Sequence, residues 1–256
     1  MNLHAIASGE GRPLVLLHGL FGSAGNFGAV QKRLAAGRRR VVALDLRNHG
    51  ASPHCPGMHY RAMAEDVRDT LAAMNLLPCA LLGHSMGGKV AMAMALATPA
   101  AVARLLVADI APVRYPPHLA AYAAAMLALE LSPSLTRAQA DAALAATVAD
   151  AGVRGFLLHN LRLGATPRWR IGLGEIAAAM DDIQDWPEID APPYAGPTLF
   201  LAGARSDYVR DEHRPAIRAR FPAARFATLK NAGHWLHADD PEGFLAVVEA
   251  FCPPDG

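Results

Sequence analysis

LLGHSMGG, residues 81–88, decides how this 256-residue chain folds. The segment 83–87 within it fits the pattern G-x-S-x-G, with Ser85 at its centre. A short apolar run leads into it, as for a buried strand, and good helix formers follow from Lys89 onward. A strand, a tight turn flanked by glycines and a helix together predict a nucleophile elbow, which presents a serine hydroxyl above the edge of a sheet.

Strands and helices alternate along the chain on both sides of the elbow. The runs 13–17 and 102–108 are mostly apolar, which indicates strands covered on both faces. The alternation predicts a mostly parallel, doubly wound α/β sheet. Strands are expected at 3–6, 13–17, 40–45, 80–82, 102–108, 197–203 and 225–230, and helices at 24–36, 60–77, 89–97, 211–221 and 241–251.

The alternation is interrupted in the middle of the chain. From about Val113 the sequence is rich in alanine, has helical segments and shows no convincing strand. We therefore predict a helical cap at 113–193, inserted before the penultimate strand, over a core domain formed by 1–112 and 194–256. The alternative is that these helices only cover the sheet and define no pocket.

Composition excludes several classes of function. The net charge of +1 gives no reason to expect a nucleic-acid partner or an acidic membrane surface. The three cysteines form no CxxC pair, so neither a disulfide framework nor a zinc site is expected. Residues 1–11 lack the features of a signal peptide, and no apolar segment reaches the roughly 18 residues that span a bilayer. We expect a cytoplasmic protein that acts on a small molecule without membrane insertion.

A serine hydroxyl becomes a good nucleophile only beside a base that is oriented by an acid. On this type of sheet the chain order is serine, acid, histidine. His234 follows the last predicted strand and is the expected base, whereas the helix after it is expected to turn His237 away. Asp109 and Asp207 both follow predicted strands, so the residues themselves leave two candidates for the acid.

An oxyanion hole needs two backbone N–H groups near the serine. One is expected from Met86, directly after the nucleophile, and the other from the loop after an early strand. Leu20 is the first candidate in that loop, and Phe21 is the next. We expect His18 to hold this loop and His84 to have a positioning role.

Several motifs, in order along nearly the whole chain, resemble those of the α/β-hydrolase superfamily. RNHG at 47–50 narrows the resemblance to the small esterase branch that includes the bacterial YbfF and the mitochondrial ABHD11-type hydrolases. The matching stretches are HGLFGSAGNF at 18–27, DLRNHGASP at 45–53, GHSMGGKVAM at 83–92, DIAPVRY at 109–115 and NAGHWLH at 231–237.

The resemblance also bears on the acid and on the activity. Most members of the superfamily carry the acid three residues after the glycine that ends the strand, here Gly203, and that position is Ser206. In this branch a serine there accompanies an acid at the earlier strand, which implies Asp109 as the acid, Ser206 as its support and Asp207 as the alternative. The implied activity is hydrolysis of short- to medium-chain acyl esters through an acyl-enzyme, without a metal or organic cofactor.

Other functions use the same framework. An acyl-CoA thioesterase or a carbon–carbon bond hydrolase has the same triad, and a non-catalytic ligand receptor on this fold is a more distant alternative. Arg168 and Arg170 are candidates for contacting an anionic group such as a CoA phosphate, or are simply solvated. Haloalkane dehalogenases and epoxide hydrolases are disfavoured because they carry Asp where Ser85 stands.

Overall fold

A computed structural model describes residues 1–254 of the chain. Its strands are β1 (Ala5–Ser8), β2 (Arg12–Leu17), β3 (Arg39–Leu44), β4 (Cys79–His84), β5 (Val102–Ala108), β6 (Leu161–Arg162), β7 (Arg168–Trp169), β8 (Thr198–Gly203) and β9 (Ala224–Leu229). Its α-helices are α1 (Gly28–Ala35), α2 (Tyr60–Ala73), α3 (Met86–Ala97), α4 (His118–Leu127), α5 (Arg137–Leu144), α6 (Ala151–Leu158), α7 (Leu173–Ala178), α8 (Met180–Gln184), α9 (Arg214–Arg220), α10 (Leu236–Asp239) and α11 (Pro241–Phe251).

The central sheet has the strand order β1-β3-β2-β4-β5-β8-β9. Only β1 runs antiparallel to its neighbour within the described part of this sheet, and the other pairs are parallel. This confirms the predicted mostly parallel α/β sheet. The elbow strand β4 lies at the middle of the order, so the turn that carries Ser85 stands at the centre of the sheet's carboxyl edge.

Helices cover both faces of the sheet. Successive side chains of a strand point to opposite faces, so Val15 and Leu17 pack on one side and Leu14 and Leu16 on the other. The first side is closed by α2 and α3, and the second by α1 and α11. Burial on both faces explains why these strands are continuous apolar runs in the sequence.

The segment between β5 and β8 carries the helices α4 to α8 and one small hairpin. The prediction that it contains no strand is wrong, because β6 and β7 pair antiparallel there, Leu161 with Trp169 and Arg162 with Arg168. Strands of two residues are too short to show an alternating pattern. The helical character of the rest of the segment agrees with the sequence.

The end of this segment is fixed to the elbow helix by a buried lysine. Lys89 Nζ, on α3, donates to the carbonyl oxygens of Gln184, at 3.2 Å, and Asp185, at 2.6 Å. The rings of Tyr60 and Tyr115 lie 5.5 and 5.0 Å from the same ammonium group. Burial lowers the pKa of Lys89 to about 7. These bonds attach the end of α8 to α3, the helix that follows the nucleophile elbow.

Helix ends differ from the prediction at several places: α3 begins at Met86 rather than Lys89, and α9 begins at Arg214 rather than Asp211. A 3-10 turn at Ala24–Phe27 precedes α1, and α2 ends at Ala73 rather than Leu77. Pro215 stands in the first turn of α9, where its missing N–H costs no helical hydrogen bond. Within residues 1–254, no helix combines the length and the apolar character that a membrane crossing requires.

Candidate active site

The turn between β4 and α3 holds Ser85 in a strained backbone conformation. Its φ of 53° and ψ of −122° lie outside the regions that a non-glycine residue usually occupies. Glycine is required two residues further on, since a Cβ on Gly87 would overlap the carbonyl oxygens of Leu17 and His18. These contacts hold Ser85 at the tip of a nucleophile elbow, where it lines a cavity.

His234 lies on the loop between β9 and α10 and reaches this serine. Its Nε2 is 3.1 Å from Oγ of Ser85. Its backbone carbonyl accepts a hydrogen bond from Nε2–H of His84, at 2.7 Å. Burial and the neighbouring His234 lower the pKa of His84, so the His84 ring is neutral and serves as a fixed donor. His237 is on α10 and makes no hydrogen bond with Ser85; its ring lies edge-on to that of His84.

Asp109 completes the row of hydrogen-bonded groups. Its Oδ2 is 2.8 Å from Nδ1 of His234, and its side chain is fully buried. The N–H of Gly203 donates to Oδ1 at 3.1 Å, and the hydroxyl of Ser206 donates to Oδ2. Three donors therefore surround a carboxylate whose burial would otherwise be costly.

The structure does not bring Asp207 to this site. Its side chain is 91% exposed and pairs with Arg210 at 3.7 Å. Ser206, one residue earlier, points inward to Asp109. Of the two acids that the sequence offered, Asp109 alone contacts His234.

The loop after β2 lies close to Ser85. A Cβ added to Gly19 would lie 3.1 Å from Cβ of Ser85, which shows how closely the loop approaches. Among the hydrogen bonds of residues 1–254, neither the N–H of Leu20 nor that of Met86 has an acceptor. Both groups are therefore available to a ligand oxygen.

The N–H of Phe21 is not available, because it donates to Nε2 of His49 at 3.1 Å. Burial lowers the pKa of His49 to about 3, which keeps this ring neutral and able to accept. His49 belongs to the RNHG motif, but the sequence gives no sign of this contact with Phe21. His18 holds the same loop, since its Nε2 accepts from the N–H of Leu46 at 3.0 Å and its Nδ1–H donates to Gly19 at 2.8 Å.

A cavity of about 800 Å³ opens above Ser85. Apolar and aromatic side chains from the loop after β2, from α4 and α6, and from the loop before α10 line most of it. They include Leu20, Phe21, Leu119, Tyr122, Val153, Phe156, Leu157 and Trp235. Arg168 and Arg170 are exposed and are not part of this lining. Such a space suits an apolar chain attached to the group that reacts at Ser85.

Tyr208 is a further residue of the site that the sequence did not indicate. Its ring stacks on that of His234, with ring centroids 4.0 Å apart. Among residues 1–254, no group of three or more His, Cys, Asp or Glu side chains is suited to hold a metal ion.

This geometry is that of a serine hydrolase centre on a parallel α/β sheet. The chain belongs to the alpha/beta hydrolase fold family, whose family model matches residues 12–241.

Comparison with known proteins agrees with this assignment. A mouse protein, sn-1-specific diacylglycerol lipase ABHD11, is 45% identical over 246 residues, which are 93% of this chain and 80% of that protein. Esterase YbfF of Escherichia coli strain K12 is 37% identical over 242 residues, covering 93% of this chain and 92% of YbfF. The solved structure of a marine microorganism esterase superposes with a TM-score of 0.93 at 36% identity, covering 98% of this chain and 99% of that one.

Proposed function

We propose that this chain is a carboxylic ester hydrolase that cleaves short- to medium-chain acyl esters. The observation that carries the proposal is the row Ser85 Oγ, His234 Nε2, His234 Nδ1 and Asp109 Oδ2, with separations of 3.1 and 2.8 Å. The relatives described above are named as esterases or a lipase, which supports the same chemistry.

The first half of the reaction acylates the serine. Ser85 Oγ attacks the ester carbonyl while Nε2 of His234 takes its proton, and Asp109 stabilises the imidazolium that forms. The oxyanion of the tetrahedral intermediate accepts hydrogen bonds from the N–H groups of Leu20 and Met86. The carbon–oxygen bond to the alcohol then breaks, and His234 returns the proton to the departing oxygen.

The second half restores the enzyme. Water attacks the carbonyl of the acyl-Ser85 ester while His234 takes one proton from it, and the same two N–H groups hold the new oxyanion. Collapse of this intermediate releases the carboxylic acid and returns the proton to Oγ. All groups come from the chain itself, so no cofactor is required.

We also propose that residues 113–193 form a cap over a core of residues 1–112 and 194–256, of which 255 and 256 lie outside the described residues. The support is that α4 and α6 line the same cavity as Ser85. The cytoplasm is the proposed location, because a reducing compartment suits the free cysteines at 55, 79 and 252.

A chain-length panel tests the activity. We expect turnover of p-nitrophenyl acetate and butyrate, a fall for the longest acyl chains, and loss of nearly all turnover in Ser85→Ala. A parallel panel of acyl-CoAs and glycerol esters separates ester from thioester preference. Wild-type turnover that Ser85→Ala retains in full would refute the proposed function.

A further inference from the structure

Two other rings lie close to the imidazole of His234. The Tyr208 ring is nearly parallel to it, with centroids 4.0 Å apart and an interplanar angle of 22°. The His84 ring lies 4.7 Å away at 43°. Rotation of the imidazole away from Ser85 would drive its edge into the Tyr208 ring. The stack therefore restricts His234 to the plane in which both of its nitrogens have partners.

The backbone of Tyr208 is itself fixed by groups around Asp109. Its N–H donates to Oγ of Ser206 at 3.3 Å, and Ser206 in turn donates to Asp109. Its carbonyl accepts the hydroxyl proton of Tyr115 at 2.5 Å. The ring that stacks on the histidine and the carboxylate that bonds to it are thus held by one connected set of hydrogen bonds.

The hydroxyl of Tyr208 connects this stack to the wall of the cavity. It lies 3.2 Å from Nε2 of His118, the first residue of α4. Burial raises the pKa of Tyr208 to about 12, so the hydroxyl keeps its proton and can donate it to His118. Leu119 and Tyr122, on the same helix, line the cavity.

We propose that Tyr208 is a positioning residue with two contacts: its ring holds His234 towards Ser85, and its hydroxyl fixes α4 over the cavity through His118. This proposal rests on the esterase function proposed above. When His234 takes the proton of Ser85, the face of Tyr208 also stabilises the resulting cation. The side chain of Tyr208 then positions both the base, His234, and the helix that covers the substrate, α4.

Substitution of Tyr208 separates the ring from the hydroxyl. Tyr208→Phe keeps the stack, so we expect kcat within about two-fold of the wild type. Tyr208→Leu and Tyr208→Met remove the stack, and we expect kcat to fall about ten-fold, an effect of the size of one cation–π contact. Equal kcat values in Phe and Leu variants, whether high or low, would overturn the role of the ring.

A spectroscopic readout does not depend on turnover. The proton between His234 Nδ1 and Asp109 Oδ2 should give a low-field NMR resonance in the wild type and in Tyr208→Phe. We expect it to broaden or disappear in Tyr208→Leu and Tyr208→Met. An unchanged resonance in either variant would refute the positioning of His234 while leaving the proposed function intact, which Ser85→Ala tests separately.

A double-mutant cycle tests the contact with α4. Tyr208→Phe and His118→Ala should each raise KM about three-fold, and the double variant should raise it no further, as for two partners of one interaction. Leu127→Ala, at the exposed end of the same helix, is the control and should leave KM unchanged. Additive effects of the two substitutions, or no effect of either, would refute the link.

Discussion

Asp109 Oδ2 lies 2.8 Å from His234 Nδ1, although 125 positions separate the two residues in the chain. The distance is that of a charge-assisted hydrogen bond. It orients the imidazole so that its other nitrogen faces Ser85, whereas the side chain of Asp207 is exposed and pairs with Arg210.

The first prediction concerns that pair. Asp109→Asn should lower kcat on the order of 10⁴-fold, because an amide cannot stabilise the imidazolium and favours the wrong tautomer of His234. Asp207→Asn, at a side chain that is 91% exposed, is the matched control and should keep wild-type kcat. Steady-state kinetics of both variants make the comparison. Loss of activity in the Asp207 variant alone would reverse the assignment.

The second prediction concerns the support of the acid. Ser206→Ala removes one donor from the buried carboxylate of Asp109 and should lower kcat about ten-fold with little change in KM. Ser206→Thr keeps a hydroxyl and should recover part of the loss. A Ser206→Ala enzyme with wild-type kcat would show that the remaining donors suffice.

The elbow and the position of His234 beside Ser85 could be predicted because local sequence determines them. The glycines around Ser85 indicate the elbow, and the position after the last strand indicates the loop that carries His234. Which aspartate bonds to His234 could not be decided from the residues alone, since Asp109 and Asp207 both follow strands. Their directions depend on the pairing of β5 with β8, which places Asp109 beside the N–H of Gly203.

Other features of the site depend on contacts between distant segments. His49 accepts the N–H of Phe21, which leaves Leu20 as the oxyanion candidate in that loop, and no spacing in the sequence predicts such a bond. Tyr208 reaches His234 only after β8 and β9 pair. The hairpin of β6 and β7 was missed because its strands are too short for a pattern.

The third prediction concerns the close contact between α3 and β2. Gly87→Ala would place a Cβ onto the carbonyl oxygens of Leu17 and His18, and should lower the free energy of unfolding by about 3 kcal/mol. Gly155→Ala, in α6 with open space around it, should instead raise it by up to about 1 kcal/mol. Urea unfolding of both variants gives the two values, and a Gly87→Ala protein as stable as the wild type would contradict the packing described here.

The fourth prediction concerns acid sensitivity. Burial lowers the pKa of His237 from 6.5 to about 4, and its Nδ1 is buried without a hydrogen-bond partner among residues 1–254. As the pH falls, His237 is therefore protonated in the unfolded chain before it is protonated in the folded chain. The free energy of unfolding consequently decreases between pH 6.5 and about 4. His237→Leu should remove up to about 3 kcal/mol of this decrease.

Chemical unfolding at several pH values tests the fourth prediction. His159→Gln, on the exposed surface, is the control and should follow the wild-type curve. A His237→Leu curve parallel to that of the wild type would show that the other buried histidines account for the whole effect.

The most direct test of the central claim is mass spectrometry of the chain after reaction with a fluorophosphonate. We predict one adduct per chain, on Ser85, formed much more slowly in His234→Ala and absent in Ser85→Ala. Adduct formation on another residue, or an unreacted Ser85 in a protein that still hydrolyses esters, would contradict the account.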